Sequence, residues 1–184
     1  MALIPCLVTS DEELMHIMQL QQQNLKQHFT EEEKNAQGFL TIHHSLDVLQ
    51  KMNALAPSVI IKDNDKVVAF ALTEVKECRQ LVPSLESMFA VIEQCSWKEK
   101  PISDYSYYTM GQICVAKEYR GQGLFEQLYL HHKKIYQQQF DLFITEISTS
   151  NFRSQRAHQK MGFKSIYTHR DQLDEWTLVV WDWS

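Results

Sequence analysis

Ile113-Cys114-Val115-Ala116-Lys117-Glu118-Tyr119-Arg120-Gly121-Gln122-Gly123-Leu124-Phe125 reads as a strand that runs through a short loop into a helix. The first turn of a helix leaves backbone N–H groups unpaired and carries partial positive charge. Anionic phosphates bind at such a place. Gly121 and Gly123 remove Cβ atoms, so the backbone can approach a pyrophosphate closely. Arg120 adds a fixed positive charge. The plain alternative is a helix start whose glycines serve packing, but the chain has only five glycines and two of them fall in this turn. The helix itself is the best marked in the chain. Across 121–139, Leu124, Phe125, Leu128, Tyr129, His132, Ile135 and Tyr136 line one face.

Downstream, residues 142–148 form a short run, apolar on both faces up to Glu146, which predicts a central strand. A second helix follows over Asn151-Phe152-Arg153-Ser154-Gln155-Arg156-Ala157-His158-Gln159-Lys160-Met161, with Gly162-Phe163 after it. Asn151 is a good N-cap and Gly162 a good stop. Ser154, His158 and Met161 fall on one face of this helix. Strands over 163–168 and 176–183 complete the chain.

Upstream, residues 3–8 predict a first strand. Ser10-Asp11-Glu12-Glu13 has the form of a capping box, and Leu14, Ile17 and Met18 continue at helical spacing. The glutamines at 21–23 read as the solvated tail of that helix, and the charged run 31–34 as an exposed turn or short helix. Leu46, Leu49 and Met52 mark another helix, stopped near Pro57. Residues 59–62 and 66–75 flank the polar turn Asp63-Asn64-Asp65 as a hairpin. Residues 79–104 are less regular and suggest an insertion beside the site, in which Pro83-Ser84 starts a helix carrying Leu85, Met88, Phe89 and Ile92. Strand composition returns over 105–115. The order β, α, α, β, β, β, α, β, α, β, β predicts an α/β (α+β) fold, with a mixed, mostly antiparallel central sheet flanked by helices. No repeat or linker divides the chain, so a single domain over 1–184 is expected.

Together the turn at 120–125 and the segment 151–163 resemble the GNAT superfamily of acyl-CoA-dependent N-acetyltransferases. That family's pyrophosphate motif is Arg/Gln-x-x-Gly-x-Gly/Ala, entered from a strand. Arg120 and Gly123 occupy its first and fourth positions. The family's later segment runs from an Asn through a helix to Gly-Phe, as Asn151 to Gly162-Phe163 does. The resemblance covers roughly 105–168; the first hundred residues match only in element order. It implies that the main chain of Ile113, Cys114 and Val115 pairs with the pantetheine arm of acetyl-CoA like an added strand. It implies that Gln122, Gly123, Leu124 and Phe125 hold the pyrophosphate through backbone N–H groups, in the loop set by Arg120 and Gly121. Asn151, with Ser154 one turn on, would lie by the pantetheine. Two positions depart from the pattern. Phe125 stands where Gly or Ala is usual, so a bulky side chain must turn away from the phosphates. His158 stands where many members have the Tyr that protonates the leaving thiolate.

Transfer to an amine requires the ammonium to lose a proton and the thiolate to gain one. His158 has an ordinary pKa near working pH and is the candidate acid, its plain alternative being a helix His that bonds locally. Glu146 is the candidate base. A carboxylate on an otherwise apolar strand face has its pKa raised by desolvation, and the resemblance places a base at this point. The alternative is that Glu146 only anchors a local contact. Residues 105–115 carry no acidic side chain that would supply another base at the usual position. Cys114 has no His motif beside it and is not read as a nucleophile. The implied activity is direct acetyl transfer from acetyl-CoA to the primary amine of a small molecule or peptide. A non-catalytic acyl-CoA-binding module on the same fold is the alternative.

The bulk numbers fit this reading. The chain has 184 residues, with 44% hydrophobic and 22% charged residues, enough to bury roughly two thirds of its unfolded surface. A net charge of −5 argues against nucleic acid and leans toward a cationic substrate. Cys6, Cys78, Cys95 and Cys114 form no C-x-x-C pair, and His43-His44 and His131-His132 cannot each share a face, so no metal site is expected. The start Met1-Ala2-Leu3-Ile4-Pro5 has no basic secretory region and no apolar run approaches a membrane span, so a cytoplasmic protein with free thiols is expected. Trp176, Trp181 and Trp183 would fill core or a homodimer contact. The acceptor is expected to be shaped by residues 30–44 and 79–104, which carry no pattern that names it.

Overall fold

The computed structural model describes residues 3–30, 32–34 and 38–184. Met1 and Ala2 of the expected start, Glu31 of the charged run, and 35–37 within the expected acceptor segment lie outside the described residues.

Strand β1 (Pro5–Leu7) leads into helix α1 (Asp11–Gln23), which Ser10 and Glu13 close with the expected capping box. Helix α2 (Leu46–Leu55) is capped by Ser45. Strands β2 (Val59–Asp63) and β3 (Lys66–Ala71) form the expected hairpin, with Asn64 at φ 54° in its turn. Residues 79–104 then hold helix α3 (Glu86–Ile92) and a small hairpin, β4 (Ser96–Trp97) with β5 (Lys100–Pro101). The remaining elements are β6 (Tyr107–Thr109), β7 (Ile113–Val115), α4 (Leu124–Tyr136), β8 (Leu142–Ser148), α5 (Phe152–Met161), β9 (Lys164–Arg170) and β10 (Glu175–Asp182).

The strands form two four-stranded halves, in the orders β1-β2-β3-β7 and β6-β8-β10-β9. All their pairings are antiparallel except β6 with β8. The expected single strand over 105–115 is therefore two strands in different halves. Met110-Gly111-Gln112 carries the chain across, with Met110 N donating to Ile144 O and Leu72 N donating to Gln112 O. Period-two apolar patterning cannot show such a switch, because both halves bury both faces.

Alternate side chains feed two cores. Ile60, Phe70, Leu142 and Ile144 face one way, packed with Ile17, Leu49, Met88 and Phe89 from α1, α2 and α3. Ile61, Val68, Tyr108 and Phe143 face the other, against Leu128 and Tyr129 of α4. Trp181 and Trp183 join that second core, each packing on the other at 5.5 Å between ring centroids, with Trp181 also against Phe163.

Candidate active site

The loop before α4 is held open by its backbone. Gly121 and Gly123 sit at φ 78° and 76°, the left-handed region that side chains with a Cβ adopt at a cost. Among the described residues, apart from the chain neighbours of each glycine, no atom lies within 4 Å of where a Cβ would stand at either position. Gly123 is the N-cap, so the helix begins three residues later than the periodicity placed it. Its first backbone bond runs from Gln127 N to Gly123 O at 3.1 Å. The amides before Gln127 stand ahead of the helical ladder, where donors are free for an anion. Arg120 braces this loop. Its Nε donates to Val115 O at 3.0 Å and its Nη2 to Asn24 Oδ1 at 2.7 Å.

These residues border a cavity of about 290 Å³ that also reaches Ile113, Val115, Asn151, Arg153 and Ser154. One edge of β7 pairs with β3, and among the described residues no strand pairs with its other edge, since β6 lies on the edge of β8. The cavity opens along that unpaired edge. Cys114 points into the core opposite Phe70, and burial pushes its thiol up to about 12, so it stays protonated.

Phe125 borders the same cavity and packs between the helices. Its ring meets Tyr129 at 4.9 Å and His158 edge-on at 5.2 Å between centroids. A bulky sixth position is thus compatible with free amides. His158 is 2% exposed, with Nδ1 2.8 Å from Ser154 O and Nε2 hydrogen-bonded to the Tyr129 hydroxyl. Burial pulls it down to about 4, so the ring is neutral near pH 7. With Nδ1–H donated to a carbonyl, Nε2 accepts from Tyr129. Asn151 caps α5 by accepting from Ser154 N at 3.2 Å, and its Nδ2 donates to Phe39 O at 3.4 Å. The cap thereby ties α5 to the loop at 38–39.

A second, smaller cavity of about 90 Å³ adjoins the first through Phe39, Leu40, Ile113, Asn151 and Ser154. Thr41 and Ile42 reach it from one expected acceptor segment, Leu85 and Met88 from the other. Glu146 lines it. Burial pushes the Glu146 carboxyl up to about 8, and the Asp171 charge acts in the same direction. Its Oε2 lies 3.1 Å from His169 Nε2. Asp171 lines the same cavity. Burial raises its carboxyl, but donors at Asp174 N, Trp176 Nε1, Leu173 N and Ser87 Oγ outweigh that and hold it below the usual range.

The structure therefore gathers most of the nominated residues in two joined cavities, with Ile113 to Val115, Arg120, Gly121, Gly123 to Phe125, Asn151 and Ser154 around the first and Glu146 in the second, while the exposed Gln122 lies outside the lining. His158 touches the second from within the core. Sequence reasoning missed His169, Asp171 and the buried Glu74. The signal for Glu74 was the same one that marked Glu146, a lone acid in an apolar strand run. His169 is brought in by the register of β9 on β10, which places it opposite Trp176.

The model of the Acetyltransferase (GNAT) family matches residues 15–163, most of the chain. The chain belongs to the GNAT acetyltransferase family. This GNAT protein is an acyltransferase, as the sequence motifs implied. Among solved structures, it is similar to the ribosomal-protein-S18-alanine N-acetyltransferase from Escherichia coli, at 14% identity and TM-score 0.65, covering 98% of this chain and 95% of that one. It is similar to Ard1 from Thermoplasma volcanium, at 10% identity and TM-score 0.64, covering 97% of each chain. A phosphinothricin acetyltransferase from Sinorhizobium meliloti, in complex with AcCoA, aligns at 14% identity and TM-score 0.63, covering 99% of this chain and 89% of that one. At these identities the likeness is one of fold. No curated protein sequence matches. Among the described residues, no group of three or more His, Cys, Asp or Glu could hold a metal ion, and no helix is long and apolar enough to cross a membrane.

Proposed function

We propose that this protein moves an acetyl group from acetyl-CoA to a primary amine by direct attack, with Glu146 as the base. The observation that carries the reading is the pair of joined cavities, one ending at open left-handed glycines and the other at a partly buried carboxyl. Amides of Gln122 to Phe125 suit a pyrophosphate, and the unpaired edge of Ile113 to Val115 suits the amide-bearing pantetheine arm. Asn151 and Ser154 border both cavities, where the thioester has to lie for its carbonyl to meet an amine. Ordering two reactants in joined cavities accounts for much of the rate gain.

Glu146 accepts a proton from the bound ammonium, directly or through one water. The freed nitrogen attacks the thioester carbonyl carbon, and the C–S bond breaks as the amide forms. A second proton from that nitrogen leaves with the sulfur, so no separate strong acid is required. We assign His158 to positioning, because its neutral ring already serves Ser154 O and Tyr129. His169 orients Glu146 and offers the proton a way out.

The acceptor cavity is small and mixes apolar walls with carboxyls, which fits a compact primary ammonium on a small molecule or a peptide end. The four free cysteines accord with a reducing, cytoplasmic setting. The test is thiol release from acetyl-CoA across a panel of small amines and short peptides. Release above hydrolysis, reduced in Glu146→Gln, supports transfer. Tight acetyl-CoA binding without release on any amine would make the protein a binding module instead.

A further inference from the structure

Glu74 is fully buried, and neither of its carboxyl oxygens has a hydrogen-bond partner among the described residues. It sits in the buried stretch Leu72-Thr73-Glu74, just past β3. Burying a carboxyl without a partner is costly, and folds keep such groups mostly at working sites. Three geometric facts place Glu74 at the acceptor site.

Its main chain bridges the two halves of the sheet. Glu74 N donates to Thr109 O and Thr109 N to Glu74 O, both at 2.8 Å. Thr109 is in turn in register with Ile144 of β8. Residues directly opposite across a ladder project to the same face, and so does every second residue along a strand. Glu74, Thr109, Ile144 and Glu146 therefore share one face. Finally, the Glu74 carboxyl occupies the space of a missing side chain. A Cβ on Gly111 would stand 1.9 Å from Glu74 Oε1 and 2.3 Å from its Cδ. Gly111 lines the acceptor cavity, so a single backbone strand separates the carboxyl from that cavity.

We infer that Glu74 is a positioning residue of the acceptor site, a second carboxyl behind Gly111 that is coupled to Glu146 and with it favours a cationic amine. This rests on the transfer reading above. Burial, then the Glu146 charge, pushes Glu74 up to about 8. Two carboxyls that interact lose their protons in steps belonging to the pair. The other titratable groups facing them are Cys78, from the turn after Glu74, and His169 and Asp171 beside Glu146. Among the described residues lining the cavity, none is Lys or Arg. An entering ammonium stabilises both carboxylates. It then passes one proton to Glu146, whose proton affinity burial and the Asp171 charge raise. The neutral amine goes on to attack, and the proton leaves to solvent after the amide forms.

The test follows protonated carboxyl groups by infrared difference spectroscopy during an alkaline titration of the full chain, without acetyl-CoA or amine. In the wild type the carboxyl signal should disappear in two steps around pH 8. In Glu146→Gln the remaining Glu74 step should move down by about one pH unit or more, the size expected for a coupled pair. Should that variant fail to fold, Glu146→Ala reports the same coupling. A partner's step that stays in place in the folded variant overturns the inference, whatever happens to stability. Thiol release is measured separately. Its absence with the coupling intact would sink the transfer reading, and its presence without coupling would sink the role of Glu74 alone.

Discussion

Phe125 meets His158 edge-on, with ring centroids 5.2 Å apart and planes at 82°. The contact joins the first turn of α4 to α5, and it explains how a large side chain fits beside the glycine turn. The ring is spent on packing between the helices. Phe125→Ala should therefore lower stability by about 2 kcal/mol, less than for a fully buried Phe because the site is half-buried. The rise in melting temperature caused by acetyl-CoA should persist. Chemical denaturation with and without acetyl-CoA checks both parts, and loss of the acetyl-CoA effect in a folded variant would place Phe125 in the phosphate site.

Glu146 works as a base only when ionised. Burial pushes it up to about 8, so kcat/KM for an amine that is a substrate should climb with pH through that value. Glu146→Gln should lower kcat/KM by about 100-fold or more and leave acetyl-CoA affinity unchanged, since general base catalysis contributes about that much. A pH–rate profile of both proteins tests this. A profile flat through pH 8 in the wild type would contradict the assignment.

Asn151 is both a helix cap and a tether for the loop at 38–39. Asn151→Ala should cost about 1 kcal/mol from the cap alone. The same variant should raise the KM for acetyl-CoA, because the residue borders both cavities. Thermal melts and initial rates against acetyl-CoA concentration read the two effects separately. An unchanged KM would leave Asn151 a structural cap.

Two sets of buried groups make stability depend on pH in opposite directions. Burial pulls His44 down to about 4, His132 to about 3 and His158 to about 4. Those folded values lie below the ordinary 6.5, so the unfolded chain binds more protons and stability falls as pH drops through that value. Burial pushes Glu74 and Glu146 up to about 8. Their folded state binds more protons above the ordinary 4.5, so the stability they contribute is complete below that value and is lost as pH rises through 8. Each group changes stability by up to about 1.4 kcal/mol per pH unit within its window. Melting temperature should peak near about pH 6, where the two slopes balance. A melting temperature that climbs steadily from pH 6 to about pH 8.5 would show that these groups are not buried as described.

Much of this was legible in the residues themselves. The capping box at Ser10 and Glu13, the hairpin around Asn64 and the cap and stop of α5 at Asn151 and Gly162 are local rules, and each element is where the rule puts it. The glycine turn at 121–123 was marked by two of the five glycines falling at one helix start, and both prove left-handed. The break at Met110-Gly111-Gln112 was illegible, because moving from one half of the sheet to the other depends on which strand edge is free. That is a non-local fact, settled by β6 pairing with β8. Glu74 escaped for the same reason. Its partners Thr109, Gly111 and Glu146 are distant in sequence and meet only across that break. His158 was visible, but its bond to Tyr129 depends on how α4 and α5 pack.

The central claim is that the amides ahead of α4 receive the pyrophosphate of acetyl-CoA. Gly123→Glu puts a carboxylate and a Cβ into the space that is open at Gly123. The direct measurement is the melting temperature of wild type and Gly123→Glu, each with and without acetyl-CoA, because a ligand that binds only the folded chain raises the midpoint. The wild type should show a clear rise and the folded variant none, its own melting temperature dropping only modestly. An equal rise in both proteins would mean that the pyrophosphate sits somewhere else.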